Sequence, residues 1–184
     1  MPLRSRFATR SRNLPKVTVS GVAGRGLRAL PVVAVVGAAV AGTPAANADN
    51  KRLNDGVVAN VYTIQHQAGC TNDVKINPKL QLAAEWHAND VLNNRALDGD
   101  IGSDGSTPQS RANAAGYTGT IAETVAINPA LAISGIDIMN NWYYRPDYMA
   151  IMSNCANSQM GVWSANSLDR SVVVAVYGQP GQRG

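Results

Sequence analysis

The sequence predicts an α+β fold in which helices cover a central, mainly antiparallel sheet. Three observations carry that expectation. Apolar residues recur at three- and four-residue steps between Leu53 and Val91, the mark of amphipathic helices. Val172-Val173-Val174-Ala175-Val176-Tyr177 is apolar throughout, as a central strand buried on both faces should be. The turn-rich Asn166-Ser167-Leu168-Asp169 separates that run from the short strand Met160-Gly161-Val162-Trp163, which reads as a hairpin.

The formal net charge of +4 over 184 residues is unevenly placed. Seven bases, Arg4 to Arg28, precede residue 49 and no acid does; the other nine face all twelve acids, leaving residues 49–184 at −3. The basic character therefore belongs to the N-terminal segment, and no nucleic-acid partner follows from it. That segment reads as an export signal over residues 1–48: an Arg-rich start, the apolar run Leu30 to Gly42, then Ala46-Asn47-Ala48 as a small-x-small cleavage site. The run is short of the roughly 20 residues a membrane span needs. No adjacent Arg-Arg pair is present, which favours the general secretion route over the twin-arginine one. The long basic region leaves retention as an uncleaved anchor as the alternative. Residues 49–184 make one domain's worth of chain.

Cys70 and Cys155 both lie in the exported part. Two lone cysteines far apart in an oxidising compartment usually pair. Closing so long a loop is worth on the order of 4 kcal/mol in the chain-entropy model. A metal pair or a reactive nucleophile, the competing readings, would want histidines at ligand spacing nearby, and there are none.

In chain order, Leu53, Val57, Val61, Ile64 and Ala68 form the stripe of a first helix, which Gly69 stops. His66 falls off that stripe and reads as a solvated surface histidine. Asn77-Pro78 opens a second helix, a polar cap with proline at its first position. Leu80, Ala84, His87 and Val91 line one face of it, with Leu82 and Trp86 beside them. His87 is either a core histidine bonded to backbone or a proton carrier on the floor of a cleft. Leu97 to Thr107 is glycine-rich and acidic. It reads as a structural turn, or as a weak divalent-cation loop without EF-hand spacing. Thr107-Pro108 caps a short helix that Gly116 ends. Asn128-Pro129 is expected to start another, with Gly135 weakening its middle. Pro146 interrupts it, making an aromatic corner of Trp142-Tyr143-Tyr144-Arg145 before Tyr148 to Met152. That corner either packs or stacks a ring ligand. From Gly178 the Gly/Pro/Gln tail is expected to fray.

Ile121-Ala122-Glu123-Thr124-Val125-Ala126 sets one carboxylate in an otherwise almost wholly apolar run. Burying a charge there is costly unless something pairs with it or it faces a wet cleft.

The order of these segments resembles the CAP superfamily, the SCP-like extracellular proteins, in its secreted bacterial branch. The resemblance covers nearly all of residues 53–178. It rests on Val57-Val58-Ala59-Asn60-Val61-Tyr62, on Asn77-Pro78-Lys79-Leu80 with Ala83-Ala84-Glu85-Trp86-His87-Ala88-Asn89-Asp90, and on Ser103-Asp104-Gly105-Ser106-Thr107-Pro108 with Arg111 and Ala114-Ala115-Gly116-Tyr117. It implies a three-layer α-β-α sandwich with a central cleft. Members often carry two histidines and two glutamates there, able to hold a divalent cation. Glu123 matches one glutamate, although Ala122 and Thr124 replace its usual neighbours. The histidine positions fall on Asp100 and within Pro146-Asp147-Tyr148, and the second glutamate near Arg145. The cleft set is thus Glu123, His87, Asp100 and Tyr148, with no metal or other cofactor expected, because an ion wants three or four convergent N, S or O ligands. No G-x-S-x-G elbow is present either. The resemblance then implies a secreted or envelope-associated, non-enzymatic module binding an apolar small molecule, a lipid for example, or an envelope partner. A degenerate hydrolase using Glu123 with His87, or a purely structural envelope protein, are the alternatives.

Overall fold

The computed structural model describes residues 45–181, with side chains from residue 50 onward; the export signal assigned to residues 1–48 lies, up to residue 44, outside the described residues. Five helices and four strands follow in the order α1 (Ala45–Gln67), β1 (Lys75–Ile76), α2 (Pro78–Asn93), α3 (Pro108–Ala114), β2 (Thr120–Asn128), α4 (Gly135–Tyr143), α5 (Pro146–Met152), β3 (Gln159–Asn166) and β4 (Ser171–Gln179). The sheet order is β1-β3-β4-β2. β4 pairs antiparallel with both β3 and β2, while the two-residue β1 runs parallel to β3, so the sheet is mixed but mainly antiparallel.

The local signals explain most boundaries. Asn77 caps α2 by accepting from the Lys79 amide, and Thr107 and Ser110 form a reciprocal capping box on α3, each with proline in the first turn. Gly69 and Gly116 follow α1 and α3 with φ of 91° and 85°, a conformation open to glycine at little steric cost.

β4 is buried along almost its whole length because a helical layer covers each of its faces. Val173, Ala175 and Tyr177 point into one core with Val57 and Val61 of α1, Trp142 of α4 and Met152 of α5. Val172, Val174 and Val176 point into the other with Leu80, Ala84 and Val91 of α2 and Ala112 of α3. The strand period of two thus builds an α-β-α sandwich with a core on either side. Cys70 and Cys155 are bonded, their Cα atoms 5.2 Å apart, tying the end of α1 to the loop before β3.

Three expectations are corrected. The helix expected from Asn128-Pro129 begins at Gly135 instead. Asn128 is the last residue of β2, paired with Ser171, and Ser134 provides the cap through a box with Asp137. Gly135 is therefore the first residue of α4, where it weakens little. The strand expected over Met160–Trp163 runs from Gln159 to Asn166, paired along its whole length with β4. Gly178 does not begin a frayed tail, since β4 continues through Gln179 against Thr120.

Candidate functional site

Glu123 lies on β2 with Val125 one pleat further on, and both side chains face the α2/α3 layer. Its company comes from those two helices. Arg111 of α3 donates from Nη2 to Glu123 Oε1 at 2.9 Å. His87 of α2 places Nε2 3.5 Å from the same oxygen. The side chains of His87 and Glu123 are wholly buried. The acid is not solitary: two nitrogen-bearing groups, one of them a permanent cation, converge on it.

Arg111 is held by the loop before its own helix. Nη1 donates to the Ser106 carbonyl at 2.8 Å and Nη2 also donates to the Asp100 carbonyl at 2.7 Å. His87 Nε2 lies 2.9 Å from the Gly99 carbonyl. A carbonyl only accepts, so Nε2 carries the proton and the lone pair sits on Nδ1. Nδ1 is buried without a partner, as is Glu123 Oε2. The proton-accepting nitrogen of His87 is therefore the one that does not face Glu123.

Burial dominates the electrostatics. It raises the Glu123 pKa from 4.5 to about 7 against the pull of Arg111, with Asp100 adding a smaller push in the same direction. Burial lowers the His87 pKa, partly offset by the bond to Gly99. Burial thus favours the neutral form of both groups.

Asp100 and Tyr148 stand apart from this pair. The Asp100 side chain is exposed, and the residue reaches the cluster through its backbone carbonyl. Tyr148 sits in the other core, edge-on to Trp142, with Arg145 stacked 3.6 Å over its ring. Its hydroxyl accepts from the Val125 amide at 3.4 Å, covering part of the open edge of β2. The structure thus brings together Glu123 and His87, adds Arg111, leaves the Asp100 carboxylate outside, and places Tyr148 across the sheet. No group of three or more His, Cys, Asp or Glu side chains converges as an ion would require, among the described residues.

A second feature lies on the opposite layer. Two adjoining hollows, of about 670 and 210 Å³, run along α1 where it meets the β2–α4 loop and α4, and Asn60 lines both. Leu53, Leu131 and Ile133 contribute apolar walls to the larger one, and Met139, Tyr143 and Tyr144 to the smaller. Leu131 and Tyr144 are 57% and 78% exposed. The aromatic corner is therefore split: Trp142 packs in the core while Tyr143 and Tyr144 face solvent.

Neither a family model nor a curated protein matches the sequence. Solved structures do match. An outer surface protein from Borrelia burgdorferi aligns over 71% of this chain and 95% of its own, at 16% identity and a TM-score of 0.61. An extracellular protein containing an SCP domain from Bacillus anthracis aligns over 74% of this chain at 11% identity and a TM-score of 0.62. A cysteine-rich secretory protein from Staphylococcus aureus aligns over 71% at 13% identity and a TM-score of 0.54. The chain spans 44% and 39% of the lengths of the last two. No described helix is long and apolar enough to cross a membrane. At these identities the likeness speaks for architecture alone: the chain has the fold of the SCP-like, or CAP, extracellular domains.

Proposed function

We propose that the chain is an exported, non-catalytic binding module that takes an apolar chain, of the lipid class, along the groove between α1 and α4. The observation that carries this reading is the exposed apolar side chains that line the two hollows: Leu131, Tyr143 and Tyr144. Solvent-facing apolar groups in a concave setting favour an apolar occupant over water. The export-signal pattern read in residues 1–48 supports a module that works outside the cytoplasm, secreted or held at the cell envelope. The test is titration with lipids extracted from the envelope, followed by tryptophan fluorescence, because Trp142 is next in sequence to Tyr143. A Leu131→Ser, Tyr144→Ser double variant weakens binding at least about tenfold, the loss expected for two partly buried apolar contacts. No bound lipid and unmoved fluorescence reject the module.

The alternative reading, a degenerate hydrolase, is favoured by the 3.5 Å approach of His87 to Glu123. Two titratable groups can suffice for proton transfer. Against it stand the burial of both side chains and the orientation of the His87 lone pair away from the acid. Peptide and ester libraries incubated with the protein and with Glu123→Gln decide the matter. Equal background turnover in both ends the enzyme reading.

A further inference from the structure

We infer that the open edge of β3 is a docking site for an extended, uncharged segment of a partner polypeptide, which adds to the sheet as a new strand in line with β1. This surface meets the α1–α4 groove only at Asn50, which lines both, and shares no residue with the buried Glu123 cluster.

Among the described residues the edge is only partly used. β1 covers β3 at Gln159 and Met160 and stops, while β3 continues to Asn166. Lys75 donates its amide to the Ser158 carbonyl and Asn77 donates to the Met160 carbonyl. Backbone groups alternate along a strand, so those of Val162 and Ser164 point out of the same edge. No described strand pairs with them there. The Asn50 side chain reaches the Ser164 carbonyl at 3.3 Å and closes the far end. Between Met160 and Ser164 lies about 13 Å of open edge, at about 3.3 Å per residue.

The space beside it is built rather than flat. A cavity of about 610 Å³ runs along Val162, Trp163 and Ser164, with α1 on one side and Ile76 and Gln81 on the other. It is the seam between the two helical layers, where the sandwich lacks a strand. Ile76 is 54% exposed at the end of β1 and would be covered by an occupant. Asn54 on the α1 wall has its Oδ1 buried without a donor. The one charged pair lining the cavity, Lys51 with Asp55, is already matched within α1.

These features select the class of occupant. Unpaired main-chain donors and acceptors at strand spacing ask for another extended backbone, the recognition mode of β-strand addition. An amide-lined, charge-matched wall favours an uncharged segment with small polar and apolar side chains over an acidic or basic one. A lipid tail would fill the volume and leave the Val162 backbone groups and the Ser164 amide unpaired, at a cost.

The probe is a blocked hexapeptide of alternating valine and threonine, added at millimolar concentration to the full chain, with amide hydrogen exchange read residue by residue. The Val162 and Ser164 amides slow by about tenfold or more, as expected for edge groups brought into a ladder. Ser164→Pro removes one outward N–H at a position where an edge strand tolerates proline, and it abolishes the protection at Val162. Asn54→Trp fills the seam from α1 without altering β3 and does the same, with the melting temperature as the check that each variant folds. Unchanged exchange at Val162 and Ser164 overturns the inference. So does protection that survives Asn54→Trp, or protection confined to α1 and α4, which would belong to the groove of the proposed module.

Discussion

Replacing Glu123 by glutamine tests the electrostatics of the buried cluster most directly. The folded protein holds the Glu123 proton up to about pH 7, whereas an unfolded chain releases it near 4.5. Below 4.5 the group is protonated in both states and contributes nothing to the difference. As pH rises, the unfolded state ionises first, so stability falls between 4.5 and 7 and the loss is complete above the folded value. The shift is worth about 3 kcal/mol at about 1.4 kcal/mol per pK unit. Glutamine keeps the shape and cannot ionise. A difference in packing or hydrogen bonding between the amide and the neutral acid is the same at every pH, and the pull of Arg111 on the ionised acid is already contained in the raised folded value. What changes is the gap between the two proteins: it moves by about 3 kcal/mol in favour of Glu123→Gln from about pH 4 to about pH 8. His87 shifts the other way, since its lowered pKa costs stability as pH falls through 6.5. It is present in both proteins and drops out to first order. The repulsion from the exposed Asp100 carboxylate acts on the Glu123 carboxylate and is likewise part of its raised value, so the glutamine variant escapes it. Urea unfolding of both proteins across that range reads the gap. A flat gap, or one moving against the variant, means the attraction of Arg111 outweighs burial, and the reasoning fails.

Arg111→Met removes the cation beside Glu123 and leaves a buried carboxylate without its partner; a loss of about 3–5 kcal/mol is expected, larger at pH 8 than at pH 5 by urea unfolding. Gly161→Ala forces a methyl group to within 2.0 Å of the Gln81 amide nitrogen and 2.2 Å of the Leu80 carbonyl carbon. α2 must then retreat from β3, and calorimetry should show a loss of about 3 kcal/mol or more. Replacing Cys70 and Cys155 together by serine opens the 85-residue separation that the bond closes, lowering stability by about 4 kcal/mol in denaturant titrations.

The helical stripes, the caps at Asn77 and Thr107, the disulfide and the central place of β4 were legible because each rests on local chemistry or on a simple count. The start of α4 was not. Asn128-Pro129 and Ser134 with Asp137 are both sound cap signals, six residues apart. Pairing of Asn128 with Ser171 decided between them, and no local pattern contains that contact. The position of Tyr148 away from Glu123 was not legible for a similar reason. A motif position says where a residue falls in the chain, whereas the pleat of β2 sends Glu123 and Val125 toward α2 and α3 while α5 packs on the other face.

Arg111 shows the limit most clearly. The apolar run around Glu123 announces that its charge needs a partner, but searching for metal ligands or catalytic groups passes over an arginine in a short helix. Its bonds explain the glycine-rich loop as well. Arg111 reaches the Asp100 and Ser106 carbonyls and Glu123 at once, and so pins the loop to β2. Asp90 accepts from the Ser103 amide and hydroxyl, and Asp104 accepts from the Ser106 amide. Those two carboxylates are turned toward the loop's own donors, and the loop closes on itself by hydrogen bonds. Glu123 is then the far anchor of that arrangement: a buried acid fixes an arginine, and the arginine fixes the turn that brings the Gly99 carbonyl to His87.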